Sequence, residues 1–533
     1  MLNMSRVKSL LFLLLIVFPC AVLGQGRKQI IGYYPGWKWY DRSGLVKPST
    51  IRYDRYTIIN YAFLNPTADG RLACMDPWAE KNLLLGDIDW TLAPAGYETD
   101  NDLGNPAYHR RGSSLVAHAH AAGVKVMLSI GGWTQSSLFP GIAAEAAKRA
   151  VFAHWCAEAM RRYDADGVDI DWEGPGYAPH NGSPADKANF TLLLRAIRDS
   201  LDAHGIRAER PMLLSAAVGA DAESMRNIDW APVSALLDYV NLMTYEFAGT
   251  WNAVTNHLAP LHRPAQGDTA LNVHSTVCRL IDAYGVPPSK IVLGIPFYGR
   301  SLKTAGAPGL HAPMTGAQDA VTFPAYGGDP QYFDIQSAWS LFEDRWDSVA
   351  QAPYLIGKNG LLTFVSYDNP RSVALKARYA LDNNLGGAMI WEITGDYAET
   401  APASGVIAGT PLADTLASVL RATTVGLESI DHRRHSNNGA AGAFGIATVF
   451  PNPVRRQGSI AFTLQQPGRV ELDIVTARGE RVRTLLRDDR LAGVHDAVWD
   501  GLDDAGRALA NGTYFFRLRS GGREDRARVL LLR

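Results

Sequence analysis

Cysteine is scarce in this chain, with 4 in 533 residues. Cys20 lies in an N-terminal leader, and Cys74, Cys156 and Cys278 are scattered, which excludes a disulfide framework and leaves at most one pair to form. There is no CxxC and no HExxH, so neither a structural nor a catalytic metal is indicated. No Gly-rich phosphate loop follows the first apolar strand, and no cofactor is expected. A formal charge of −1 gives no reason to expect nucleic acid as a partner. No apolar run is long enough to span a bilayer comfortably.

The first two dozen residues carry a different message. Arg6 and Lys8 form a basic start, Leu10 to Phe18 an unbroken apolar stretch, and Val22-Leu23-Gly24 the small residues before a cut near Gln25. Pro19 before Cys20 argues against a lipoprotein-type cleavage. The reading is a signal peptide over 1–24 and an exported protein, secreted or held at the cell surface. Trp and Tyr are plentiful, at 13 and 21. Flat rings suit the apolar faces of sugars, yet large proteins also bury aromatics, so composition alone decides nothing.

At this length two or three domains are expected. Apolar runs at Gln29 to Tyr34, Thr57 to Phe63, Lys125 to Ile130, Val168 to Ile170, Met212 to Val218, Tyr239 to Met243, Lys290 to Pro296 and Gly387 to Trp391 read as buried strands. Helical patterning falls between them at Ser113 to Ala122, Ala143 to Tyr163 and Lys187 to His204, the last stopped by Gly205. Strands alternating with helices over 25–402 fit an α/β fold, a (β/α)8 barrel with insertions, better than a doubly wound open sheet. The stretch from Asn65 to about Asn105 reads as a long loop that would wall a groove. An excess over about 302–362 reads as a small α+β insertion. From Ala403 to residue 444 the chain reads as a linker, and 445–533 as a β-sandwich of short alternating strands.

One stretch organises the rest: Asp166-Gly167-Val168-Asp169-Ile170-Asp171-Trp172-Glu173. In a strand, Val168 and Ile170 point one way, while Asp169, Asp171 and Glu173 point the other, roughly 6–7 Å apart along one line. Three acids on one face repel one another, so some share or retain protons. That is the environment of a general acid near neutral pH. An edge strand with a solvated acidic face would show the same spacing. Against that stand polar and aromatic residues at the ends of other strands: Tyr33, Ser129, Tyr245-Glu246, Tyr298, Arg300 and Trp391. On a parallel barrel such residues converge on one site.

The pattern DGxDxDWE resembles the signature of family 18 glycoside hydrolases, the chitinases, where it sits on the fourth strand of a TIM barrel. SIGGW, GIPFYGR, FVSYDNPRS and GGAMIWEITGD are similar to other segments of that family, over roughly residues 28–400. The resemblance implies substrate-assisted hydrolysis of chitin or chito-oligosaccharides, in which the substrate's own 2-acetamido oxygen is the nucleophile. Glu173 would protonate the glycosidic oxygen and later activate water. Asp171 would accept the acetamide N–H, and Tyr245 would donate to the acetamide oxygen. Asp169 would modulate the pair, with Ser129 and Tyr33 as hydrogen-bond partners. Trp391 would form the floor beneath the reacting sugar, and Trp133, Met243, Tyr298 and Arg300 would contact substrate. The family usually carries Met-x-Tyr-Asp where this chain has Met243-Thr244-Tyr245-Glu246. The extra methylene moves the carboxylate by about 1.5 Å, which implies an altered subsite preference or rate within the same reaction class.

At the other end, FPNP, ARGERVRTL, AGVHDAVWDG, DDAGRALANGTYFFRL and VLLLR resemble FlgD-like or secretion-sorting C-terminal domains. The implied partner is secretion machinery, and a carbohydrate-binding module is the competing reading. Competing functions for the barrel are a chitin-binding lectin, which would lack the terminal acid that Glu173 supplies, and a hydrolase of other N-acetylglucosamine-containing glycans. A monomer is expected.

Overall fold

The computed structural model describes residues 28–422, 445–450, 454, 458–476, 478–490 and 493–532. The expected signal peptide and the greater part of the expected linker lie outside the described residues. The chain divides into two units, Met1–Ser429 and Ile430–Arg533.

In the first unit, eight parallel strands close on themselves: β1 (Gln29–Pro35), β2 (Ile58–Pro66), β3 (Lys125–Gly131), β4 (Gly167–Asp171), β5 (Leu213–Gly219), β6 (Tyr239–Met243), β7 (Ile291–Pro296) and β8 (Gly387–Trp391). Each pairs with its neighbour in sequence, and β1 pairs with both β2 and β8. Alternation sorts their side chains. Tyr33, Ile58, Met127, Leu213, Val292 and Met389 fill the barrel interior. Val168 and Ile170 face outward, into the larger core beneath the helices.

The helices follow from apolar stripes. Ala146–Tyr163 buries Phe152, Cys156, Ala159, Met160 and Tyr163, and Asp186–Ala208 buries Phe190, Leu193, Leu194, Ile197 and Leu201. Gly205 does not stop the second of these, contrary to expectation. It is buried within the helix where a β-carbon would meet the Arg210 carbonyl at 2.7 Å, so close approach explains it. The helix ends at Ala208, followed by Glu209 in the left-handed conformation. The stretch expected as a long loop after β2 also holds a strand, Leu72–Cys74, and a helix, Pro77–Leu85, started by Asp76 accepting from the Ala79 N–H. Among the described residues, Cys74, Cys156 and Cys278 are free.

The insertion after β7 is a five-stranded antiparallel sheet, ordered Met314–Gln318, Arg300–Thr304, Thr363–Ser366, Ala352–Gly357, Phe342–Asp347, with a short helix at Tyr332–Ser337. The barrel unit also runs further than the 403 boundary: Pro411–Ala422 is a helix rather than linker. Leu412, Leu416 and Leu420 are buried at spacings of one turn, which supplies the reason. Asp396 accepts from the Leu412 and Ala413 N–H groups and pins that helix start.

The second unit is a sandwich. One sheet runs Gly445–Phe450, Gly458–Leu464, Gly493–Trp499, and the other Arg481–Arg490, Gly468–Thr476, Gly512–Ser520, Arg523–Leu531. Trp499 is fully buried between Tyr514 and Phe516. It is a core residue and offers no exposed ring to a sugar.

Candidate active site

The motif on β4 divides by position. Asp166, at the strand's entry, accepts from Val126 N–H (2.8 Å) and His120 (2.8 Å) and pairs with Arg210. It holds the closed end of the barrel, and those partners keep its carboxyl below the usual range despite burial. Gly167 lies where a β-carbon would strike the Leu213 carbonyl at 2.6 Å. Trp172 turns outward and wedges between Phe139 (5.4 Å between ring centroids) and Phe190 (5.7 Å). With Trp172 anchored there, Asp171 and Glu173 are left to the opposite side. The strand itself ends at Asp171, and Glu173 stands just past it, at the C-terminal mouth of the barrel.

Asp169 is fully buried and saturated. It accepts from Tyr33 Oη (2.8 Å), Ser129 Oγ (2.8 Å), Ser215 Oγ (2.5 Å) and Asn241 Nδ2 (3.0 Å). Register explains the two serines, since Ser129 and Ser215 stand opposite Asp169 on the flanking strands. Burial raises its pKa, while the four donors favour the anion. Asp171 is also buried, at the cleft's base, yet its Oδ1 has no protein partner. Burial first, then the charges of Glu173 and Asp169, push its pKa well above the carboxylate range. The two aspartates thus differ in their surroundings: four donors offset burial at Asp169, while burial and like charge act together on Asp171. Glu173 is pushed up to about 7, by burial and then by Glu246, against the lowering effect of the Trp133 backbone N–H.

Above these acids opens a cleft of about 610 Å³. Trp391 forms its base, stacked on Phe63 (5.7 Å) and tilted against Tyr33 (5.7 Å). The Tyr245 hydroxyl has the Met389 sulfur at 3.8 Å and faces the cleft. Glu246, with φ +61°, accepts from Tyr298 Oη (2.6 Å) and pairs with Arg300, which reaches Asp329 of the insertion at 2.7 Å. The longer acid is thus held by two side chains and still lines the cleft. Trp133 leaves β3 through Gly131 (φ +115°) and Gly132 (φ +85°); a β-carbon on Gly131 would strike the Asp171 carbonyl at 2.4 Å.

Of the residues singled out from sequence, Tyr33, Trp133, Asp171, Glu173, Met243, Tyr245, Glu246, Tyr298, Arg300 and Trp391 line this cleft, and Asp169 with Ser129 lies beneath it. Trp37, Phe63, Met75, Trp251 and Met389 also line it. Met75 and Trp251 sit in loops and Trp37 in a short 3-10 helix, Gly36–Ser43, where spacing carries no signal. Ser215 and Asn241 are different: each is a polar residue inside an otherwise apolar strand, and that was a usable sign.

The profile described as Glycosyl hydrolases family 18 matches residues 29–396, more than half of the chain. The chain belongs to glycoside hydrolase family 18. The family-18 unit is similar to Chitinase A1 of Niallia circulans, 34% identical over 409 residues, covering 70% of this chain and 57% of that protein's length. Endochitinase 1 of Metarhizium robertsii is 30% identical over 377 residues, covering 68% and 80%. Among solved structures, Ostrinia furnacalis Group II chitinase catalytic domain 2 superposes with a TM-score of 0.63 at 28% identity, over 74% of this chain and 97% of that one. The FlgD Ig-like domain profile matches residues 454–523. Placed on the family-18 barrel, the cleft lies where the fold brings strand ends together. Among the described residues no cluster could hold a metal ion, and no helix is long and apolar enough to cross a membrane.

Proposed function

We propose that this family-18 hydrolase is a secreted chitinase that cuts β-1,4 links between N-acetylglucosamine units with retention of configuration. The observation that carries the reading is the contrast between the two aspartates. Asp169 is saturated by four donors, whereas Asp171 keeps an unpartnered Oδ1 in a buried position next to Glu173. A buried polar atom without a partner is costly unless a ligand completes it. An acetamide N–H of the substrate has the right chemistry for that oxygen, and the Tyr245 hydroxyl has the right chemistry for the acetamide oxygen.

The chain's residues then divide the work. Asp171 and Tyr245 orient the acetamide so that its oxygen attacks the anomeric carbon, which removes the need for an enzyme nucleophile. Glu173 gives its proton to the leaving oxygen and afterwards takes one from water. Asp169 stays charged and keeps the neighbouring proton on Asp171. Trp391 supports the reacting sugar from below, and Glu246, Arg300 and Tyr298 offer polar contacts along the wall. Glu173, the terminal acid of the motif, favours hydrolysis over a lectin role.

Export belongs to the same proposal, supported by the basic and apolar pattern before Gln25, and the FlgD-like unit supports engagement with secretion machinery. The test is hydrolysis of chitin hexamer by purified protein beside Glu173→Gln. The expected result is dimer and trimer with retained anomeric configuration from the wild type, and binding without cleavage from the variant. Binding without cleavage by the wild type would make the barrel a sugar receptor. Preferential release from glycoproteins over chitin oligomers would move the substrate to other N-acetylglucosamine glycans.

A further inference from the structure

Beyond the cleft's own lining, one histidine touches the acid from behind. His180 ends a short turn, Ala178–His180, on the loop that leaves β4. Its Nδ1 lies 2.6 Å from the backbone carbonyl of Glu173. A carbonyl only accepts, so Nδ1 carries the proton and donates it. The same imidazole meets the Trp133 ring edge-on at 4.4 Å between centroids, and Tyr177 closes the group at 5.1 Å from His180 and 5.6 Å from Trp133. Trp133 is 56% exposed and Tyr177 41% exposed, so both rings present surface to solvent beside the cleft.

The other side of Glu173 is held as well. Its N–H donates to Ser136 Oγ at 2.8 Å, and Ser136 donates to the Gly132 carbonyl at 2.9 Å. Ser136 belongs to the turn that begins at Trp133. The contacts close a ring: the Trp133 turn holds the N–H of Glu173, Glu173's carbonyl is held by His180, and His180 packs back on Trp133. The loop under His180 is itself anchored, since buried Asp186 accepts from the Gly176 and Ser183 N–H groups at 3.0 Å each. Asn181 also reaches the Ser137 carbonyl at 3.2 Å, so loop and turn are joined twice.

We infer that His180 is a positioning residue that fixes the Glu173 carboxyl and the Trp133 ring in one arrangement, so that a sugar resting on Trp133 meets an aligned acid. This rests on the proposed hydrolase reading of the site. The two contacts are separable by chemistry. The imidazole N–H serves the Glu173 backbone, and the ring's body serves Trp133. Loss of the first misaligns the proton donor and acts on turnover, because misplacement of a reacting group is felt in the transition state. Loss of the second frees the Trp133 ring and acts on binding of the sugar it carries.

The test compares His180→Ala, His180→Asn and His180→Phe on chitin hexamer, with thermal unfolding of each. His180→Ala should lower kcat roughly tenfold, the worth of one well-placed hydrogen bond, and raise KM about threefold, the worth of one lost edge-on ring contact. His180→Asn, which keeps an N–H donor without the ring, should recover kcat and leave KM raised. His180→Phe, which keeps a ring without the donor, should recover KM and leave kcat low. Unchanged kcat and KM in His180→Ala would overturn the assignment. So would equal loss of both constants in all three variants with melting temperatures lowered in parallel, which is the mark of a merely structural residue. Calorimetric titration of hexamer into Glu173→Gln with and without His180→Ala separates this from failure of the hydrolase reading. If the wild type cuts nothing, that reading falls, and weaker binding in the double variant still supports the Trp133 half of the assignment while equal binding removes it.

Discussion

The hydroxyl of Tyr33 on β1 meets the carboxylate of Asp169 on β4 at 2.8 Å across the barrel interior. Asn241 on β6 touches both, at 3.0 Å from each. Residues 208 positions apart in sequence thus meet around one buried charge. Burial first, then the charges of Glu173 and Asp169, push the pKa of the neighbouring Asp171 up. Tyr33→Phe removes one donor from the anion, and the Asp169 pKa rises. The form with Asp169 charged is then reached only at higher pH, so the acid limb of kcat/KM should move upward. A loss of about tenfold in kcat at the optimum is expected for one hydrogen bond to a charged group. An unmoved limb in a pH–rate profile would deny Asp169 its part.

Glu173 sets the other limb. With its pKa pushed up to about 7 by burial and by Glu246, it is protonated below that pH and loses its proton above. Activity should be highest from slightly acidic to neutral pH and fall as pH rises beyond. A rate maximum well above pH 8 would count against Glu173 as the acid. Stability follows the same sign. A carboxyl whose folded pKa lies above its unfolded value binds its proton more tightly in the native state. That advantage is present at low pH and lost as pH rises from the unfolded value toward 7. Glu173→Gln carries no such charge, so at pH 8 it should be the more stable protein, by an amount on the order of 1–3 kcal/mol. Melting temperatures at pH 5 and pH 8 measure the difference.

How far this site is legible in the sequence depends on the element that carries each residue. Asp169, Asp171 and Glu173 are readable because a strand converts alternate spacing into one face, and Trp172 because its outward wedge keeps that face pointed inward. Trp37 reaches the same cleft from the short 3-10 helix Gly36–Ser43 and Trp251 from a loop, and the path of both follows from tertiary contacts and not from period. Ser215 and Asn241 lie between these cases. A lone polar residue on the inward face of an apolar strand is a stated signal, and both fall beside Asp169. The helix Pro411–Ala422 is hidden by the Gly- and Ser-containing residues before it, although Leu412, Leu416 and Leu420 show its stripe. Gly205 misleads for the opposite reason, because a glycine allowing close approach and a glycine ending a helix look alike in sequence.

Glu246 stands beside Glu173 at the cleft wall, and its effect has a sign. Its charge raises the pKa of Glu173. Glu246→Gln keeps the size and a hydrogen-bonding oxygen while removing the charge, so the basic limb of kcat/KM should move to lower pH. Glu246→Asp keeps the charge but withdraws it, which loosens the contacts with Tyr298 and Arg300 and should raise KM for oligomers more than it lowers kcat. Profiles of the two variants side by side test both statements. A basic limb that stays in place in Glu246→Gln would show that Glu173 does not sense it.

Trp251 is 59% exposed in the cleft, with the Arg300 guanidinium 5.6 Å from its ring centroid. An exposed ring held in this way offers a surface to one sugar and no group to the chemistry. Trp251→Ala should therefore raise KM for hexamer by about tenfold, an aromatic contact of roughly 1 kcal/mol or slightly more, and leave kcat within about twofold. A fall in kcat with KM unchanged would place Trp251 against the reacting atoms instead.

The second unit tests what its tryptophan is for. Trp499 is fully buried, its rings cross Tyr514 and Phe516 at centroid distances of 5.6 and 5.8 Å, and its Nε1 donates to the Leu502 carbonyl at 3.1 Å. Truncating a buried tryptophan costs about 3–5 kcal/mol. A domain of this size holds only about 5–15 kcal/mol in all, so Trp499→Ala should melt the sandwich at much lower temperature. The barrel has its own core and its own closed hydrogen-bonding ring, so calorimetry should show the barrel transition in place and the sandwich transition shifted or gone. Hydrolysis of soluble hexamer should be unchanged, since the acids and the rings that line the cleft among the described residues belong to the barrel unit. If Trp499→Ala instead leaves both transitions intact and weakens binding to insoluble chitin, the residue is a sugar contact, and the carbohydrate-module reading of the unit replaces the FlgD-like one.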